Sequence, residues 1–151
     1  MEHMDEIVRA VLVTPTGRLL VIERVWPGAD PYWVLPGGHV EPEDADLRAA
    51  LAREVFEETG GHPHTIGLLG ELNEERRRLY FYLARIDSWS EADRTGPEFT
   101  DPDRGEYRLT EVPLTPEALD PLALVPEAIA EFVRDAVRAG RDLVELADPS
   151  R

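Results

Sequence analysis

The run Arg53-Glu54-Val55-Phe56-Glu57-Glu58, closed by Thr59 and Gly60-Gly61, constrains this chain more than any other stretch. Residues 45–59 contain neither proline nor glycine and are read as a helix stopped by Gly60-Gly61 and Pro63. With Glu54 at zero on a helical wheel, Glu57 falls near about −60° and Glu58 near about +40°. The three carboxylates therefore share one side. Val55, Ala52, Phe56 and Ala49 fall between about 100° and 220°, and that side is the one expected to be buried. Like charges at i,i+4 destabilise a helix by roughly 0.2–0.5 kcal/mol per pair, and the macrodipole disfavours anions near the C-terminal end. Two readings follow. The face is a solvated acidic surface, or it supplies the hard oxygen ligands that Mg2+ or Mn2+ requires.

Composition narrows the chemistry. The chain has 151 residues with 16 basic and 31 acidic side chains, a formal net charge of −15. It contains no cysteine, which excludes disulfides, thiolate metal sites and cysteine nucleophiles. Every basic residue is arginine, so a P-loop lysine and Schiff-base chemistry are excluded too. So acidic a surface repels phosphate backbones, and no nucleic acid polymer is expected as partner. A phosphate-bearing substrate would need a cation or local arginines to hold it. No basic start leads into an apolar stretch, and apolar runs such as Ala10 to Val13 are far too short to span a bilayer. The expectation is a soluble cytoplasmic protein without a membrane partner.

Along the chain, residues 7–13 and 18–25 read as antiparallel strands joined by a turn at Thr14-Pro15-Thr16-Gly17. Residues 32–35 read as a short strand closed by Pro36-Gly37-Gly38. Residues 65–71, 77–86 and 106–112 read as further strands. The second of these alternates Leu79, Phe81 and Leu83 with Tyr80, Tyr82 and Ala84. Residues 88–104 form a long polar loop, a feature that often carries function. From Pro126, apolar residues at Ile129, Phe132, Val133, Ala136 and Val137 mark an amphipathic helix ending near Gly140. The expected domain is residues 1–140, with 141–151 as a C-terminal tail. Within that tail Leu143, Val144 and Leu146 suggest a homodimer contact.

Strand, glycine turn, loop and carboxylate helix together form a constellation. Residues Gly38 to Gly60 resemble the Nudix box, G-x5-E-x7-R-E-U-x-E-E-x-G-U, in which U is a bulky aliphatic residue. Gly38 matches the first glycine, and Arg53-Glu54-Val55-x-Glu57-Glu58-x-Gly60 matches the second half without a gap. There are three departures. Asp44 stands where the pattern has its first Glu, eight residues instead of seven separate it from Arg53, and Gly61 replaces the final aliphatic residue.

The resemblance implies an α/β fold, a Nudix-type α/β/α sandwich with a mixed β-sheet flanked by helices. It also implies metal-dependent hydrolysis of a diphosphate linkage in a nucleoside diphosphate derivative by water attack on phosphorus. In this chain Glu54, Glu57 and Glu58 would bind Mg2+, with Mn2+ as a possible substitute, helped by the Gly38 carbonyl. Arg53 would orient the glutamates, while Gly37, Asp44 and Gly60 would be structural. The general base would be a helix glutamate or a carboxylate outside the box, with Glu98 as first candidate and Glu106 as second. Arg24, Trp26, Trp33 and Arg78 are candidate contacts to a small nucleotide derivative, by stacking or by bidentate hydrogen bonds. Tyr32 is an aromatic of the same group. The alternative is a non-catalytic Nudix-like module that binds a nucleotide or metabolite.

Overall fold

The computed structural model describes residues 4–96, 98 and 101–151. Strand β1 (Asp5–Val13) turns back into β2 (Arg18–Val25), followed by the short strands β3 (Tyr32–Val34) and β4 (Gly37–His39). Helix α1 (Leu47–Thr59) precedes β5 (Pro63–Asn73) and β6 (Arg77–Ile86). After the long loop come β7 (Glu106–Pro113), α2 (Pro116–Leu119), β8 (Leu124–Val125), α3 (Glu127–Arg138) and α4 (Leu143–Leu146).

The sheet runs β5-β6-β1-β2-β3-β8, with β4 also paired to β1 and β7 to β2. β1 and β6 are parallel, as are β3 and β8, and the other pairs are antiparallel. β1 and β2 meet only where Leu12 and Val13 face Leu20 and Leu19. Beyond that point they diverge. The wedge between them is filled by β4, paired to β1 at Ile7 to Arg9, and by β3, paired to β2 at Ile22 to Arg24. The turn at Pro36-Gly37 therefore sits where the sheet splits, and its glycines enter β4 instead of ending a strand.

Side-chain alternation divides the core into two layers. Val8, Ala10, Leu12, Leu20, Tyr80 and Tyr82 pack under α1 with its Ala50, Leu51 and Val55. Ile7, Val11, Leu19, Val21, Leu79, Phe81 and Leu83 pack under α3 with its Ile129, Ala130, Val133 and Ala136. A strand buried on both faces has its alternation fixed by two packed layers, as expected for residues 77–86. Leu143 and Ala147 are buried in the second core and Leu146 packs against it. Of the three residues read as a dimer contact, only Val144 is exposed. Among the described residues, no helix is long and apolar enough to cross a membrane.

Helix α1 begins where the Asp46 side chain accepts a hydrogen bond from the Ala49 N–H at 2.8 Å, a conventional N-cap. It ends at Gly60, whose N–H donates to the Phe56 carbonyl. The buried face differs from the one read off the sequence. The buried residues are Ala50, Leu51, Val55, Glu58 and Thr59, whereas Ala52 is exposed and Phe56 is half-buried against the His62 ring. On the same wheel, Leu51 at about 60° and Ala50 at about −40° bracket Glu58. A glutamate thus occupies the middle of the stripe that faces the sheet.

Candidate active site

Glu58 is 8% exposed, and its Oε2 accepts a hydrogen bond from the Gly37 N–H at 3.0 Å. Gly37 has φ of 150°, and a Cβ there would stand 2.0 Å from the Val8 carbonyl oxygen, so no side chain is tolerated. A Cβ on Gly38 would lie 2.7 Å from the carboxylate carbon and both oxygens of Glu54. The two glycines bring main chain and carboxylates as close as they can come. Burial raises the Glu58 carboxyl well above its ordinary range, helped by the neighbouring Glu54 and by Glu98, against the pull of Arg9 and the Gly37 N–H. Glu54 is also raised, first by burial, with Arg53 opposing and Glu57 adding.

Arg53 organises the outer half of this cluster. Its Nε and Nη2 donate to the two oxygens of Asp44, both at 2.9 Å, a bidentate pair. Its Nη1 reaches Glu54 Oε1 at 3.1 Å and Glu57 Oε2 at 3.3 Å, and its Nη2 also donates to the His39 carbonyl. The shorter Asp44 and the additional residue before Arg53 thus leave the pairing intact. Asp44 Oδ2 also accepts from the Glu41 N–H. The Arg53 hydrogen bond holds the Asp44 carboxyl below its usual value, and the same bond raises the guanidinium.

The loop over residues 88–104 is tied to the end of α1. Thr95 and Gly96 N–H groups donate to the Glu57 carbonyl at 3.0 and 3.1 Å, and the Ser90 N–H donates to the Thr59 carbonyl. The half-buried Glu98 lies near enough to Glu58 to disfavour its ionisation. Glu106 stands elsewhere, exposed on β7 beside Val25 and ion-paired with Arg108.

The remaining candidates separate. Arg24 lies across β2 from Tyr32 on one side and Tyr107 on the other. Its guanidinium sits 3.7 Å from the Tyr107 ring centroid, 4.8 Å from Trp26 and 5.9 Å from Tyr32, and its Nη2 donates to the Arg104 carbonyl. Trp26 lines a cavity of about 680 Å³ with Val25, Pro27, Asp103, Gly105 and Glu106. The half-buried Trp33 packs against the α3-side core, on the face of the sheet opposite α1. Alternation decides this: Trp33 pairs with Glu23, one residue out of phase with Arg24. Arg78 is exposed at the start of β6, in register with Glu6 and Asn73.

One residue escaped the sequence reading. Arg9 is the one charged residue in the otherwise apolar run 7–13, and that was its signal. Its Nη1 donates to the Leu35 carbonyl at 3.0 Å and the Gly37 carbonyl at 3.2 Å. Burial lowers the pKa of its guanidinium, against the attraction of Glu58 and Glu54.

The donor set suits a hard divalent cation. It offers carboxylate oxygens with raised pKa values, crowded against a main chain kept free of side chains. Among the described residues no three acidic or imidazole groups enclose an ion by themselves. Main-chain oxygen and water would complete the shell, as Mg2+, which keeps several waters, allows.

Comparison with known proteins agrees with this geometry. A family model for the NUDIX domain matches residues 5–135. A MutT-like protein of Streptomyces ambofaciens is 34% identical over 110 residues, 70% of this chain and 69% of that protein. Diphosphoinositol polyphosphate phosphohydrolase 2 of Rattus norvegicus is 37% identical over 70 residues, but the match spans only 42% of this chain and 38% of the rat protein. Among solved structures, a NUDIX hydrolase from Nitrosomonas europaea superposes with a TM-score of 0.67 at 18% identity, covering 91% of this chain and 90% of that one. That likeness concerns the fold alone. Because the domain match runs from β1 into α3 and takes in the sheet with both of its helical layers, the chain belongs to the Nudix family and is a Nudix hydrolase, an enzyme of pyrophosphate hydrolysis.

Proposed function

We propose that this enzyme hydrolyses the diphosphate linkage of a nucleoside diphosphate derivative by water attack on phosphorus, with Mg2+ as its ion and Mn2+ as a substitute. The observation that carries the reading is Glu58, a carboxylate buried against the Gly37 N–H beside a second carboxylate, Glu54. Burying one ionised carboxylate beside another is costly unless a cation is added. Glu54, Glu57 and Glu58 would hold the ion with the Gly38 carbonyl. When bound, it would supply Lewis acidity at phosphorus and a more acidic water.

The chain's own groups do the rest. Arg53 fixes the rotamers of Glu54 and Glu57 while Asp44 fixes Arg53. Glu98, on the loop tied to the Glu57 carbonyl and close enough to influence Glu58, would accept the proton of the attacking water. Trp26 and Arg24 offer stacking surface beside the roomy cavity at the end of β2. A net charge of −15 disfavours a heavily phosphorylated inositol, which would require a cluster of free basic groups, and supports a nucleoside derivative carrying fewer charges.

The test is turnover by metal-stripped protein across a panel of nucleoside diphosphate derivatives, with Mg2+ or Mn2+ added back. Metal-dependent release of phosphate-containing products that disappears in Glu57→Gln supports the reading and names the substrate. Nucleotide binding without turnover under every metal condition would replace it with a binding module.

A further inference from the structure

Three interactions meet at Gly37. The Pro36 carbonyl accepts from the Ala10 N–H at 2.8 Å, the Gly37 N–H donates to Glu58, and the Gly37 carbonyl accepts from Arg9. The peptide units on both sides of Gly37 are thus held, one by a β1 main-chain bond and Glu58, the other by Arg9. The two side chains approach from opposite layers. Glu58 descends from α1, whereas Arg9 shares the face of β1 that carries Ile7 and Val11, under α3. A Cβ on Gly37 would stand 2.9 Å from the Arg9 Cδ, so the arginine stem packs directly against the turn.

Desolvating a guanidinium is costly and normally calls for a carboxylate partner. Among the described residues Arg9 forms no ion pair within 4.0 Å. Its bonds go instead to the Leu35 and Gly37 carbonyls, the two residues flanking Pro36, and its Nε–H stays buried without a partner among the described residues. Stability alone is a poor account of such a group, since an apolar side chain would fill the site at lower cost. A restraint on the turn is a better one.

We propose that Arg9 is a positioning residue for the hydrolytic centre: it holds the Gly37 carbonyl from behind the sheet and so sets the conformation in which the Gly37–Gly38 turn meets Glu58 and Glu54. The role rests on the metal-binding reading above. Arg9 touches neither substrate nor ion in this scheme and acts through the turn. Losing a partner that orients ligands typically weakens metal binding by about 10–100-fold.

The experiment compares wild type, Arg9→Met, Arg9→Lys and Glu57→Gln, each checked for folding by circular dichroism. Mn2+ affinity is read by electron paramagnetic resonance, Gly37 amide protection by hydrogen exchange, and kcat and KM by turnover. Arg9→Met is expected to bind Mn2+ at least about tenfold more weakly and to lose Gly37 protection, with kcat reduced more than KM is raised. Arg9→Lys, which keeps the charge and a donor, is expected to fall between Met and wild type. Unchanged Mn2+ affinity and Gly37 protection in folded Arg9→Met overturn the proposal while the metal reading stands. If Arg9→Met does not fold, wild-type values of both in Arg9→Lys overturn it equally. If wild type binds no Mn2+, or Glu57→Gln binds it as well as wild type does, the metal reading fails and takes this role with it.

Discussion

Asp44 and Arg53 form a two-pronged ion pair, Nε to Oδ1 and Nη2 to Oδ2, although eight residues separate them where the family pattern has seven. The Asp44 side chain is only 6% exposed, and Arg53 extends from this pair to Glu54 and Glu57. The pair therefore couples the loop before α1 to the carboxylates on it. Asp44→Asn is expected to cost about 2 kcal/mol at neutral pH, the scale of a lost charge-assisted hydrogen bond, together with a large fall in turnover. Denaturant melts of both proteins at several pH values check the sign. The folded-state pKa of Asp44 is depressed, so its contribution is present above the unfolded value of about 3.9 and is lost as pH falls through the folded one. Below that window the two proteins should converge in stability.

Glu58 has the opposite sign. Its folded pKa is raised, so the stability tied to its neutral form is full below the unfolded value of about 4.3 and is lost as pH rises through the folded value. Glu58→Gln keeps an acceptor for the Gly37 N–H but cannot ionise. At about pH 8, without metal, it should melt roughly 3 °C above wild type while showing no hydrolysis. A lower melting temperature than metal-free wild type would mean that the Arg9 attraction outweighs the burial cost.

Metal removal and return give a third check. An ion that binds only the folded state at about 100 times its Kd stabilises by about 2.7 kcal/mol, or roughly 5–10 °C for a domain of this size. Wild type should show a rise of that order on Mg2+ addition, and Glu57→Gln should show little of it. Equal shifts in both proteins would place the ion elsewhere.

The two glycines of the turn should separate structure from chemistry. A Cβ at Gly37 meets the Val8 carbonyl oxygen, which cannot yield, and the φ of 150° is strained for any L side chain. Gly37→Ala should cost at least about 3 kcal/mol or fail to fold. A Cβ at Gly38 meets only the end of the Glu54 side chain, which can swing away. Gly38→Ala should fold, lose less than about 1 kcal/mol and still lose most of its activity, because Glu54 is displaced. Thermal melts beside turnover assays distinguish the two cases.

Much of this enzyme was legible without coordinates. Helix limits near residues 45–59, the alternation of residues 77–86 and the stripe from Ile129 to Val137 follow from local spacing, because backbone geometry imposes the periods 3.6 and 2 wherever a chain runs regularly. The Arg53 to Glu58 run likewise places three carboxylates on one side of a helix whatever surrounds it. What lies across from that side is another matter. Glu58 is buried because β4, 21 residues earlier, is wedged between β1 and β2, and periodicity carries no information about a partner at that distance. The same limit hid Arg9, which meets Gly37 across 28 residues, and left open which face of the sheet Trp33 takes, a choice set by its pairing with Glu23. Sequence spacing determined which groups travel together. Only the packing of distant strands decided which of them water can reach, and so which carboxylates carry the strained charge that a cation would relieve.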